Sequence, residues 1–183
     1  NVGEAALQPP VYEPILDHLA AGGPLTGHEL LKVPAVAQQV GVSRLLQALV
    51  VLVGAGYVQP CVPAPVQKAA RAGSARFNQV VMSRTARGGD AELNFMASPR
   101  LGSGVAAPRL PQLFMHAMQQ QPKADAPAIA SAVWALLRAS GQGLVKDGKT
   151  IEGDQASVQE ITERLAEWTK SHQPILRQLE LVP

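Results

Sequence analysis

The sequence predicts a mainly α protein: a winged helix-turn-helix with a small β-wing, followed by a C-terminal helical bundle. Three observations predict it. Residues 11–62 run in the order helix, helix, turn, helix and then Gly-Tyr-Val, which is the order of a winged helix. The final stretch places apolar residues at helical spacing over most of its length. Hydrophobic residues make up 46% of the chain and charged residues 16%, a balance that suits a packed interior. Residues 1–10 read as a linker or tail, 11–98 as the winged-helix domain with a basic insertion, and 99–183 as a helical subdomain packed on it.

The first helix is expected over 11–21, where Tyr12, Ile15, Leu16 and Leu19 share a face. Gly22-Gly23-Pro24 stops it. Thr26 and Glu29 form a capping box for a second helix over 26–33. Gly41-Val42-Ser43 is the next break, and a third helix follows over 43–54. Gly54 and Gly56 end that helix, and Tyr57-Val58 opens a wing strand over 57–59. The third helix is rich in Leu and Val, with Arg44 and Gln47 its only strongly polar residues. A helix that is apolar all round is expected to be buried, and a DNA-reading helix carries polar side chains instead.

The prolines of residues 60–65 exclude a central strand or a helix there. Between Val62 and Gly89 lie Lys68, Arg71, Arg76, Arg84 and Arg87, with no acidic residue. Two readings stand for this segment: a patch for phosphates or an acidic partner, and a solvated insertion whose arginines meet carboxylates elsewhere. A helix is expected over 77–87 and the returning wing strand over 92–97. Ser98, Pro99, Arg100, Gly102 and Gly104 then form an ordered turn that is a candidate interaction loop. Further helices are expected over 109–120, 127–140 and 155–172. In the last, Val158, Ile161, Leu165, Trp168, His172, Ile175 and Leu179 recur at intervals of 3, 4, 3, 4, 3 and 4, a packing seam kinked or restarted at Pro174.

Other function classes find little support. A net charge of +2 does not argue for nucleic acid. One cysteine, Cys61, precludes an internal disulfide and fits a reducing cytoplasm. No apolar run reaches the roughly 18 residues of a membrane helix. The first ten residues resemble neither a signal peptide nor a lipidation motif, and the chain reads as a piece of a longer protein. Gly143 to Thr150 matches the phosphate-loop pattern G-x-x-x-x-G-K-[ST], but a helix rather than a strand precedes it. Asp147-Gly148-Lys149 therefore reads as a tight polar turn. Gly102-Ser103-Gly104 lacks the third glycine and the later acidic residue of a dinucleotide loop. His18, His28, His116 and His172 are scattered without metal-ligand spacing. No acid–base pair assembles, so no catalytic, cofactor or metal residue is assigned and the chain is expected not to be an enzyme by itself.

The stretches LVGAGYVQP, RFNQVVMSR, LNFMASPRLGSGV, PRLPQLFMHAM, VWALLRASGQGLVKDGK and PILRQLELV occur in an order that resembles a bacterial family. It is the C-terminal region of S-adenosylmethionine-dependent methyltransferases that carry a methyltransferase regulatory domain, including protein lysine methyltransferases with a C-terminal winged helix. The resemblance spans residues 11–183 and rests on segment order, not on a catalytic motif. It implies that S-adenosylmethionine binds a separate α/β domain, outside this chain. It also implies a regulatory or substrate-recognition module whose partners are that catalytic domain, in cis or trans, and a protein substrate. A winged-helix transcription regulator using Arg44, Gln47 and the basic segment is the competing reading. A nucleotide hydrolase is a distant third.

Overall fold

The computed structural model describes residues 7–88 and 93–182. The chain divides into two compact units, 1–61 and 62–183, so the boundary falls at Cys61 and not after Ser98. Among the described residues the fold is mainly helical, with two small hairpins, and both hairpins lie in the second unit.

In the first unit, α1 spans Pro9–Gly22. Pro9 and Pro10 open this helix instead of belonging to a linker. Proline is tolerated there because the first turn has no intrahelical use for its missing N–H. The rest of the expected linker, residues 1–6, lies outside the described residues. Thr26 and Glu29 form the expected capping box on α2, with the Glu29 carboxylate accepting from the Thr26 N–H at 2.7 Å. That helix spans only Gly27–Leu30. Pro34 keeps Val33 extended and starts a separate helix, α3, over Pro34–Gln39. Gly41, at φ +69°, makes the turn into α4, Gly41–Gly54.

Two expectations about α4 are corrected. The first is burial all round. Leu45, Ala48 and Leu52 are buried against Ile15, Leu30, Val36 and Val40. Val42, Leu46, Val50, Val51 and Val53 are exposed. Helices α1, α2 and α3 cover one side of α4, and among the described residues the other side stays exposed. The second is the wing strand over 57–59, which is absent. Gly56 adopts φ +79°, while Tyr57 N–H donates to Leu52 O at 2.9 Å and Gly56 N–H to Val53 O at 3.1 Å. This is a Schellman cap: Gly-Tyr-Val satisfies the last carbonyls of α4 instead of starting a sheet.

In the second unit, α5 spans Ala64–Ala86, thirteen residues further toward the N-terminus than 77. The exclusion of helix over 60–65 is corrected at its end: Ala64 and Pro65 open α5, because proline is tolerated in a first turn that has no use for its missing N–H. The strand expected over 92–97 begins at Phe95, and Glu92 lies outside the described residues. It is β1, Phe95–Ser98, and its partner is β2, Ser103–Ala106, in an antiparallel hairpin registered Phe95 to Ala106 and Ser98 to Ser103. Helices α6 (Arg109–Gln120), α7 (Ala126–Ala139), α8 (Asp154–Ser171) and α9 (Gln173–Gln178) complete the unit. Between α7 and α8 lies a second hairpin, β3 (Val145–Lys146) with β4 (Lys149–Thr150).

The core of this unit gathers Met82, Met96, Leu113, Phe114, Val133, Ile161, Leu165 and Trp168, with α7 packed along α8 and α6 lying against α5. Phe114 and Trp168 meet at 5.7 Å between ring centroids. The seam of α8 holds as far as Trp168. The helix then restarts at Gln173 beside Pro174, which turns His172 and Ile175 outward and brings Gln173 and Leu176 into the interior.

Candidate partner-recognition surfaces

The basic segment is helical, and its periodicity sorts the five cations. Asn78, Val81, Met82 and Thr85 form the buried face of α5. Asn78 fixes the helix to β1: its amide nitrogen donates to Ala97 O at 2.9 Å, and its oxygen accepts from Ala97 N–H at 2.7 Å. Arg71 lies at the edge of this face and grips Glu180. Lys68, Arg76, Arg84 and Arg87 are exposed, and among the described residues no carboxylate lies within ion-pair distance of any of them. Of the two readings, carboxylate pairing thus holds for Arg71 and leaves the other four in solvent.

The candidate interaction loop is pinned largely by structural needs. Ser98 is buried; its hydroxyl donates to Leu179 O at 2.7 Å and accepts from Leu101 N–H at 3.2 Å. Gly102 closes the turn by donating to Ser98 O at 2.9 Å. It adopts φ +65°, and a Cβ there would come within 2.6 Å of a Val62 methyl, so only glycine fits. Gly104 is a strand residue of β2. Arg100 reaches Glu180 at 3.4 Å. Pro99 lines a cleft of about 470 Å³ together with Arg71, Asn78, Arg177 and Glu180.

Glu180 is the residue that sequence reasoning missed. It joins one member of the basic set, Arg71, to one member of the loop, Arg100. The Arg71 guanidinium, and to a lesser degree Arg100, holds its carboxyl below the ordinary carboxylate range. No local pattern in QLELVP announces that role.

The phosphate-loop match is the β3–β4 hairpin. Asp147 and Gly148 both have positive φ, at 50° and 76°, as a primed hairpin turn requires. Lys149 and Thr150 are exposed. The neighbouring Lys146 makes the structural contact, donating to Glu160 and Glu163 on α8. Arg164 donates to Glu160 at 2.8 Å and to Val145 O at 2.8 Å. Glu160 is mostly buried, and Lys146 first and Arg164 second hold its carboxyl below the ordinary range.

The histidines stay apart. Burial lowers the His116 pKa. His172 is exposed, with its Nδ1 at 2.7 Å from the Ser171 hydroxyl. Cys61 is exposed. Among the described residues no group of three or more His, Cys, Asp or Glu could hold a metal ion. No helix among them is long and apolar enough to cross a membrane.

The other surface is the free side of α4. Leu46 is 60% and Val50 73% exposed, with Val42 at 59% and Val53 at 41%. Exposed apolar side chains contiguous on one helix face mark an interaction site more often than scattered ones do.

No family model matches the chain. It is similar to an uncharacterized protein of Synechocystis, with 33% identity over 178 residues. That match covers 97% of this chain and 33% of the relative, so the chain spans about a third of the length of the curated relative it matches. No solved structure matches it.

Proposed function

We propose that this chain is a non-catalytic regulatory or substrate-recognition domain of an S-adenosylmethionine-dependent methyltransferase, working in the cytoplasm by packing against protein. The observation that carries the packing is the uncovered stripe of α4. Val42, Leu46, Val50 and Val53 recur at intervals of 4, 4 and 3 and are all exposed, so they share one uncovered helix face. Each such side chain left in water forgoes about 1.5–3 kcal/mol of burial. A catalytic domain laid across the stripe recovers that energy. The methyltransferase assignment itself rests on the resemblance in segment order. The greater length of the Synechocystis relative is of the scale that a further domain requires. S-adenosylmethionine belongs to that linked domain.

The winged-helix assignment is part of the same proposal. Helices α1, α3 and α4 supply a three-helix core, with the turn at Gly41 between the last two. It is a version without a hairpin after α4.

The test uses the complete open reading frame. Leu46→Arg with Val50→Glu is expected to weaken association with the catalytic domain, in cis or in trans, and to change methyl transfer at least severalfold. Unchanged association and unchanged transfer would sink the proposal. The DNA-binding reading draws on Arg44 and Gln47, both exposed at the start of α4. A selected duplex bound about a thousandfold tighter than random DNA at about 150 mM salt would promote it instead.

A further inference from the structure

The solvent face of α5 combines three features. Arg76, Val80 and Arg84 recur at intervals of 4 along about 12 Å of helix, and Arg87, the C-cap residue, continues the stripe three positions on. Phe77, 48% exposed, lies at the edge of that stripe beside Val80, 59% exposed. Lys68 lies two turns nearer the N-terminus and outside the stripe, and α5 contains no acidic residue.

We propose that this face docks an acidic amphipathic protein segment, whose apolar side chains cover Phe77 and Val80 and whose carboxylates meet Arg76, Arg84 and Arg87. Three arguments select that occupant. Arginine forms two-point bonds with carboxylates and is enriched at protein interfaces, where lysine is depleted; this stripe holds three arginines and no lysine. An aromatic anchor surrounded by charged rim residues is the usual anatomy of a protein hot spot. A phosphate backbone presents nothing apolar to cover Phe77. A membrane-surface helix needs a broad apolar face, whereas the main apolar face of α5 is spent on Val81 and Met82 in the interior. The inference stands on α5 alone and does not depend on the methyltransferase reading or on α4.

The experiment is fluorescence anisotropy with the full chain and a labelled helical peptide of about 20 residues, with Leu at i, i+3, i+4 and i+7 flanked by Glu. Micromolar binding is expected at about 150 mM salt, weakening as salt rises. A scrambled peptide of the same composition is expected to bind at least about tenfold more weakly. Phe77→Ser, and separately Arg76→Glu with Arg84→Glu, are each expected to weaken binding by about tenfold or more. A peptide with Lys in place of Glu is expected to recover binding to the charge-reversed variant. All three positions are exposed, so circular dichroism is expected to show the fold retained. The proposal is overturned by absence of saturable binding, by equal affinity for the scrambled peptide, or by variants that bind normally. Tighter binding to a random duplex, or to vesicles containing phosphatidylserine, overturns it equally and assigns the face to those surfaces.

Discussion

Arg71 and Glu180, 109 residues apart in sequence, meet in a two-point ion pair: Arg71 Nε donates to Oε2 at 2.6 Å and Nη2 to Oε1 at 2.8 Å. The pair holds the segment after α9, where Glu180 itself adopts φ +58°. It is partly open to water, so its loss is expected to loosen this segment locally and to move the global melting temperature little. In Glu180→Gln the Leu181 amide, which donates to Leu176 O at 2.9 Å, is expected to exchange with solvent faster than in the parent. Equal exchange in the two proteins would show that the pair holds nothing.

Gln112 is expected to be among the most sensitive polar positions. Its buried amide donates to Leu93 O at 2.6 Å and Ala107 O at 2.7 Å, and its oxygen accepts from the Thr85 hydroxyl at 2.5 Å. Gln112→Ala leaves those groups unpaired and opens a hole beneath α6. A loss on the order of 3 kcal/mol is expected in denaturant unfolding. A change below about 0.5 kcal/mol would mean that water replaces the amide without cost.

Acid is expected to release the β3–β4 hairpin. The folded carboxyl of Glu160 titrates below its ordinary 4.5 because Lys146 and Arg164 stabilise its charge. A group with a depressed folded pKa contributes stability that is present above the unfolded value and is lost as pH falls through the folded one. Exchange at Ile151, whose N–H donates to Leu144 O at 2.9 Å, is therefore expected to rise as pH drops below about 4.5, beyond the intrinsic pH effect. Glu160→Gln is expected to abolish that excess. A pH profile identical in parent and variant would remove Glu160 from the account.

Mg-ATP is expected to give no saturable heat in calorimetry. Lys149 is exposed and sits on a turn rather than between a strand and a helix, so Lys149→Ala is expected to leave stability within about 0.5 kcal/mol. Lys146→Ala is expected to loosen the hairpin, because that lysine bonds Glu160. Micromolar nucleotide binding lost in Lys149→Ala would restore the phosphate-loop reading.

Much of the helical framework was legible. Helices α6, α7 and α8 lie within a residue or two of the expected spans, because a long apolar stripe reports its own period. The first half of α5 was not. Residues 64–76 are rich in alanine and basic residues and carry a single large apolar residue, Val66, so there is no stripe to read. The hairpin partner of β1 escaped because Ser-Gly-Val-Ala shows no alternation.

By itself, the sequence determined helices α6, α7 and α8, the capping box at Thr26 and the tight turn at Asp147-Gly148, since each depends on residues within a few positions of one another. The tertiary structure alone decided that α4 buries one face and exposes the other, and that Glu180 chooses Arg71 and Arg100. Those outcomes depend on which surfaces meet after the chain has folded back over many tens of residues. Local periodicity carries no record of that choice, because an exposed and a buried leucine are the same letter and an arginine does not name its carboxylate.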